Sequence, residues 1–337
     1  MRNLLTNIGK KSKKAFLKKL SSNKKDKVLK DYYLLITKNK KLIINENKKD
    51  IKNAYKKKIK DNLVQRLILN NKKILEITNS IKKIIRLKDP TNIVLEKWKR
   101  PNGLVISKVS IPLGVIGIIY ESRPNVTADV ASLCFKSGNA VILKGGSEAY
   151  YSNLILSKLF RKSLKKNGVD ENFVQFLSIK KRSVVDFLLT KMSKFIDVII
   201  PRGGKSLVKK VQKLSSIPTI GHLEGVCHSY IDKSANAKIA NKIIQNAKLR
   251  NTAICGATET ILLHEKIIKK FGNEILKNLE KNGCKIIADN KIRKLYNKKI
   301  QKATIKDWSK EYLSSIVSVK SVKNIDEAIH HINKYGT

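Results

Sequence analysis

The chain has 337 residues, 42% of them hydrophobic, enough for two packed domains with real cores. Four cysteines without a CxxC pair and five histidines without ligand spacing point away from a zinc site or a disulfide framework, and no metal is expected. The formal net charge of +46 invites a nucleic-acid partner, yet only about ten of the 72 basic residues are Arg, and Lys, Asn and Ile are overused together, as A+T-rich codons would leave them. The lysines run along the whole chain without the Arg-plus-aromatic interleaving of single-strand binders, so no specific nucleic-acid binding is expected. No apolar run approaches the roughly 18 residues that span a bilayer, and the Lys-rich start lacks an apolar core with a cleavage site. These features lead to the expectation of a cytoplasmic protein with no membrane partner.

Residues 3 to 20 and 24 to 60 read as helices, with Val28, Leu29, Tyr32, Leu35, Ile36, Leu42 and Ile43 at helical spacing behind the start signal Ser21-Ser22. Two further helical segments run to Leu87, where Asp89-Pro90 stops them. Residues 93 to 99 and 104 to 111 then read as strands joined at Arg100-Pro-Asn-Gly103, whose Asn-Gly pair signals a hairpin. From Gly114 the pattern alternates. Strand-like runs at 114–120, 140–143, 173–177 and 195–200 are followed by helices starting near Pro124, Glu148, Lys180 and Gly203. This predicts an α/β fold with a mostly parallel, helix-covered sheet whose turns at 120–125, 144–147 and 201–205 share one edge, where such sheets bind ligands. A second α/β region follows, with a helix from about Ala235 to Leu249, strands near Ile261, Ile286 and Ile316, and helices near 266–281 and 325–335.

Between that helix and the apolar run Ile261-Leu-Leu-His264 lies Asn251-Thr-Ala-Ile-Cys-Gly-Ala-Thr-Glu-Thr260. Cys134 falls on an apolar helical face, and Cys227 and Cys284 fall in or beside short strand-like runs, places where cysteine acts as a small hydrophobe. Only Cys255 sits among small residues with room around its sulfur. A buried inert thiol and a nucleophile both remain open for it on local sequence alone. Cys227-His228 read as strand residues rather than ligands, and Gly114 and Gly117 read as strand packing, since no G-x-G-x-x-G follows the first strand.

The stretch Ile111-Pro-Leu-Gly-Val-Ile-Gly-Ile-Ile-Tyr-Glu-Ser-Arg-Pro-Asn-Val-Thr127, continued by Ser137-Gly-Asn-Ala-Val-Ile-Leu-Lys-Gly-Gly146, closely resembles the glutamate-5-semialdehyde dehydrogenase (gamma-glutamyl phosphate reductase) family of the aldehyde dehydrogenase superfamily. Ile200-Pro-Arg-Gly-Gly204, Gly221-His-Leu-Glu-Gly-Val-Cys-His-Ser-Tyr-Ile-Asp232 and the Cys255 segment follow in the family's order, and the resemblance covers essentially the whole chain. It implies an aldehyde-dehydrogenase-like fold: a cofactor-binding domain at 1–92 and 112–232 with the N-terminal helices, an oligomerising hairpin at 93–111, and a catalytic domain at 233–337. Members of the family continue beyond this point, so the catalytic domain is expected to lack its C-terminal part and the chain to be weakly active or inactive.

The activity implied is NADPH-dependent reduction of L-glutamyl 5-phosphate to L-glutamate 5-semialdehyde and phosphate in proline biosynthesis, the alternative being another acylating aldehyde dehydrogenase that uses a different activated acid. Cys255 takes the position of the nucleophile, and the Asn125 amide joins backbone N–H groups in holding the oxyanion. Lys144 with Gly145 and Gly146, and Gly203 with Gly204 at a helix start, are implied to bind the NADP cofactor. Glu224 stands near the place of the base in hydrolysing relatives, but the reductive direction needs no activated water, and a structural or hydrogen-bonding role is expected. In a chain that has replaced nearly every cation with Lys, Arg123, Arg202 and Arg250 stand in or beside these motifs. Arg123 is expected to contact the substrate's phosphate or carboxylate. Homo-oligomers and hand-over of substrate from glutamate 5-kinase are the partners implied.

Overall fold

The computed structural model describes residues 1–59, 61–121, 123–181, 183–296 and 300–337. It divides into two units, Met1–Gly221 and His222–Thr337. The first begins with five helices: α1 (Arg2–Phe16), α2 (Ser22–Lys38), α3 (Lys40–Lys56), α4 (Asp61–Leu67) and α5 (Asn71–Arg86). Ser21 caps α2, its side chain accepting from the Lys24 N–H at 3.3 Å. The helix expected over 24–60 is in fact two. Asn39 turns its amide onto the Leu35 carbonyl at 2.8 Å, a local bond that competes with helix propagation. Lys58 adopts the left-handed conformation (φ 51°) that closes α3, and Lys60 lies outside the described residues. Val28, Leu29, Tyr32, Ile36 and Ile43 are buried as the spacing requires, whereas Leu42 is exposed.

Next comes the hairpin of β1 (Val94–Lys99) and β2 (Val105–Val109), antiparallel, with Gly103 at φ 88° in its turn. Among the described residues its two strands pair only with each other, and every residue of β1 is exposed. The chain then enters a four-stranded parallel sheet of order β5-β4-β3-β6, made of β3 (Val115–Tyr120), β4 (Ala140–Gly145), β5 (Val174–Phe176) and β6 (Val198–Arg202). The continuous apolar runs of β3 and β4 suit strands covered on both faces, and all their residues are buried. A Cβ on Gly117 would stand 2.5 Å from Ile199 Cδ1, so close strand packing accounts for that glycine. Helices α6 (Asn125–Lys136), α7 (Tyr150–Lys166), α8 (Ser183–Lys191) and α9 (Lys205–Leu214) connect the strands and flank them.

The second unit holds β7 (Cys227–Ile231), α10 (Ala237–Leu249) and β8 (Thr258–His264). Then α11 (Glu265–Ile267) passes through a π-helical turn, Ile268–Gly272, into α12 (Asn273–Lys281), where a single helix was expected. It is completed by β9 (Lys285–Ala288), α13 (Asn290–Leu295), β10 (Gln301–Lys302), α14 (Ile305–Trp308), β11 (Ile316–Val322) and α15 (Ile325–Tyr335). Its sheet is parallel, in the order β10-β9-β11-β8-β7. The expected domain boundary after Asp232 needs correction. Strand β7 hydrogen-bonds to β8, so the segment from His222 belongs with the second unit. The short strand-like run Cys227–Ile231 gives no sign of which sheet it joins, because pairing partners are set by tertiary contact.

Candidate active site

Cys255 lies in the turn between α10 and β8, a turn shaped by two local bonds: Ala253 N–H to Asn251 Oδ1 at 3.2 Å and Ala257 N–H to Ile254 O at 3.0 Å. Its side chain is half-buried. Close beside it runs the segment entering β7. A Cβ on Gly225 would stand 2.2 Å from the Cys255 carbonyl oxygen, so only glycine lets the two backbones meet there. The Cys227 thiol donates to that same carbonyl at 3.2 Å.

Burial pushes the pKa of Cys134 up to about 12 and that of Cys284 up to about 11. Burial, then the nearby Cys255, Glu259 and Glu311, raises Cys227 as well. Beneath the turn lies an ion pair that sequence reasoning missed. Lys248 Nζ donates to Glu259 Oε2 at 2.6 Å with both side chains 0% exposed, joining the last turn of α10 to the second residue of β8. The other Glu259 oxygen accepts the Leu313 N–H at 3.2 Å. The pair was legible in part: Ala240, Ile244 and Lys248 form one buried stripe at spacing of four, which places a lysine where an apolar residue belongs. Glu224 is half-buried, and its carbonyl accepts the Thr337 hydroxyl at 2.6 Å.

In the first unit the three expected turns do share one edge. Tyr120, at the end of β3, pairs with Gly145 of β4 on one side and with Arg202 of β6 on the other. Lys144 is 7% exposed, contrary to the ordinary state of a lysine, and donates to the Gly145 carbonyl at 2.9 Å. Burial lowers its pKa, against the pull of Glu148. A Cβ on Gly145 would come within 2.3 Å of Asn153 Nδ2, so internal packing alone demands glycine there. Gly146 is extended (φ −61°, ψ 156°) where the chain leaves β4 for a short 3-10 turn.

Gly204 precedes α9, and its N–H donates to Glu121 Oε2 at 2.7 Å, so an oxyanion already stands at this helix start. The same carboxylate oxygen would lie 2.6 Å from a Cβ on Gly203. Asn125 opens α6 and donates from Nδ2 to Asp129 Oδ2 at 3.1 Å, while Arg123, whose carbonyl accepts the Val126 N–H, is exposed. Ser122 of the first turn lies outside the described residues. Among the described residues no cluster of His, Cys, Asp and Glu could hold a metal ion, and no helix is long and apolar enough to cross a membrane.

A parallel sheet with its polar groups gathered at one strand edge, and a second parallel sheet with a cysteine turn leading into its strand β8, describe an aldehyde-dehydrogenase-type oxidoreductase, and the aldehyde dehydrogenase family model matches residues 6–291. The chain belongs to that family and, within it, to the gamma-glutamyl phosphate reductases. It is 46% identical over 275 residues to the gamma-glutamyl phosphate reductase of Bartonella tribocorum, a match covering 82% of this chain and 67% of the relative. It is 41% identical over 339 residues to that of Thermodesulfovibrio yellowstonii, covering 100% of this chain and 81% of the relative. In three dimensions it is similar to the gamma-glutamyl phosphate reductase of Thermotoga maritima, with a TM-score of 0.90 and 38% identity over 98% of this chain and 80% of that one.

Proposed function

We propose that the protein reduces L-glutamyl 5-phosphate to L-glutamate 5-semialdehyde and phosphate with NADPH, in the cytoplasm, as a step toward proline. The observation that carries this reading is the 41% identity to a gamma-glutamyl phosphate reductase sustained over the entire chain. In it, the Cys255 thiolate attacks the acyl phosphate, the tetrahedral oxyanion collapses with loss of phosphate, and a thioester on Cys255 results. Backbone N–H groups of the cysteine turn and the Asn125 amide hold the developing oxyanion. NADPH supplies the hydride that takes the acyl group to the aldehyde level, and release of the aldehyde returns the Cys255 thiolate. Since no water is activated in this direction, Glu224 has a hydrogen-bonding role only.

The residues fit a phosphate-bearing cofactor. The Gly204 N–H at the start of α9 already satisfies a carboxylate, and a phosphate arriving there would displace Glu121. Lys144 keeps donors to spare beyond its bond to Gly145, and Gly145, Gly146 and Gly203 offer backbone at the same sheet edge. Arg123 is assigned to the substrate's phosphate or carboxylate. The hairpin at 93–111, largely exposed and paired with no other strand among the described residues, is assigned to homo-oligomer contact, and glutamate 5-kinase would deliver the labile substrate.

The test is the reverse reaction on the purified protein: NADP+ reduction followed at 340 nm with glutamate 5-semialdehyde and inorganic phosphate. Whatever turnover the chain shows is expected to require both phosphate and the aldehyde. NADP+ reduction that proceeds without phosphate, or only when coenzyme A replaces it, would overturn the assignment.

A further inference from the structure

Cys255 is not the only thiol at its turn. The Cys227 thiol, 28 residues earlier at the start of β7, donates to the Cys255 carbonyl at 3.2 Å. A carbonyl oxygen lies about 2.4 Å from its own Cα, so the Cys227 sulfur stands no more than about 5.6 Å from the Cys255 Cα. Both residues belong to the second unit and both are half-buried, whereas Cys134 and Cys284 are buried. The reaction proposed above gives Cys227 no part.

We propose that Cys227 is the resolving thiol for Cys255: a hydroperoxide oxidises Cys255 to a sulfenic acid, and Cys227 converts that acid to a Cys227–Cys255 disulfide. In the first step the Cys255 thiolate attacks one oxygen of hydrogen peroxide, the O–O bond breaks, and the hydroxide released takes the proton that Cys255 gave up. In the second the Cys227 sulfur attacks the Cys255 sulfur, the S–O bond breaks, and the departing hydroxide leaves as water with the Cys227 proton. The two thiols together lose two electrons, and the peroxide is reduced to two molecules of water. A small thiol reverses the bond by exchange, so the reactive cysteine is masked and not lost.

The backbone around the two sulfurs suits a bridge. Gly225 lets its segment pack directly on the cysteine turn, since a Cβ there would stand 3.0 Å from Cys255 Cβ. Cys227 pairs with Thr258, three residues beyond Cys255, and the register of β7 against β8 shifts between Cys227 and His228, so the ladder is already irregular at this point. On the other side of the sulfur Gly256 has open space, with nothing within 4 Å of a Cβ placed on it. A turn with that freedom can make the small adjustment that brings two Cα atoms to the roughly 4.4–6.8 Å of a disulfide.

Charge sets the order of the two steps. Burial, then the proximity of Cys255, Glu259 and Glu311, raises the Cys227 pKa, and Glu311 is fixed there by accepting the Gly225 N–H at 3.0 Å. Thiolate is the form that meets peroxide, so Cys227 is a poor first target and remains a thiol to resolve the sulfenic acid. Neither step depends on which acyl group Cys255 carries in turnover.

The test is hydrogen peroxide in slight excess on the purified chain, then alkylation in denaturant and tryptic mapping without reductant. Trypsin releases Cys227 within residues 214–233 and Cys255 within residues 251–266, each the sole cysteine of its peptide. Loss of two of the four free thiols, these two peptides joined, and return of both thiols with dithiothreitol are expected. Cys227→Ser keeps a donor for the Cys255 carbonyl but cannot resolve. In it Cys255 should go on to the sulfinic acid, a gain of about 32 Da on residues 251–266 that dithiothreitol does not reverse. The same irreversible gain in parent and variant, a Cys255 that remains a free thiol in the parent, or a disulfide to Cys134, Cys284 or a second chain would overturn the proposal. If the variant does not fold, the map of the parent decides alone. A chain without turnover on glutamate 5-semialdehyde would remove the reductase reading and leave this measurement intact.

Discussion

The four-stranded sheet of the first unit and the five-stranded sheet of the second are both parallel, yet they bury different chemistry. In β3 the buried residues are Val115, Ile116, Ile118 and Ile119 with Tyr120 at the end, and β4 runs Ala140 to Leu143 before Lys144. Strand β8 instead buries Thr258, Glu259, Thr260 and His264, and β11 buries Ser318 and Ser321. Three of these groups bond to polar neighbours: Ser229 Oγ to Thr258 Oγ1 at 2.7 Å, Tyr312 Oη to Ser318 Oγ at 2.8 Å, and Ser321 N–H and Oγ to Asp289 Oδ2, each at 2.7 Å, while Thr260 Oγ1 is buried without a partner. An apolar sheet can deliver functional groups only at its ends, where its turns meet solvent. A sheet with a bonded polar interior can also brace a turn from below, as Glu259 does for the turn that carries Cys255.

The largest effect should come from the turn itself. If Cys255 carries the proposed thioester, Cys255→Ala is expected to lower kcat/KM by at least about a thousandfold. NADPH affinity, measured by fluorescence titration, should change by no more than a few-fold. Retained turnover would remove the covalent route.

The brace comes next. Glu259→Gln leaves Lys248 buried without its counter-ion, and breaking such a pair typically costs about 3–5 kcal/mol. Replacing both partners, Lys248→Met with Glu259→Leu, should cost much less than the single change, because no charge is then stranded. Urea denaturation of the three proteins measures this. If the single variant is as stable as the parent, the polar interior of the second sheet is not what holds the turn.

What the amino-acid sequence revealed follows the same division. Unbroken apolar runs announced β3 and β4, the Asn-Gly turn announced the hairpin, and small residues around Cys255 set it apart from three thiols in apolar surroundings. Those are local signals. The helix break at Asn39, the π turn at Ile268–Gly272, the partner of β7 and the Lys248–Glu259 pair depend on bonds or packing that local patterning does not specify. The acid in Thr258-Glu-Thr-Ile-Leu-Leu-His264 was visible as a residue, but its cation lies on another element and emerges only when helix and strand are packed together.

Acid should weaken the second unit through His331, which packs against His228, Trp308 and Tyr335 and is 3% exposed. Burial, with the charges of His228 and Lys320, brings its pKa down to about 4 from the ordinary 6.5. Below 6.5 the unfolded chain takes up a proton that the folded ring refuses. The contribution is therefore complete above pH 6.5, falls by up to about 1.4 kcal/mol per pH unit as the pH drops toward 4, and levels off below that. His331→Phe should flatten the stability profile in this window, as urea midpoints at pH 7, 5.5 and 4.5 would record. An unchanged slope would mean that His331 is not the group responsible.

The smallest effect on folding, and the sharpest contrast with both sheets, should come from the hairpin. Trp98 faces Ile106 across the strands and is 42% exposed, while Val94, Leu95 and Val105 are each more than half exposed. A two-stranded ribbon is marginal alone, and its apolar side chains contribute little to the core of its own chain. Trp98→Ser should accordingly shift the unfolding free energy of a dilute sample by no more than about 0.5 kcal/mol. If the hairpin joins copies of the chain, the same substitution should lower the mass measured by sedimentation at micromolar concentration, because Trp is among the side chains that dominate such contacts. A parent protein that sediments as a monomer, or a variant that assembles as the parent does, would leave this ribbon without the role assigned to it and separate it from the two sheets on stability grounds alone.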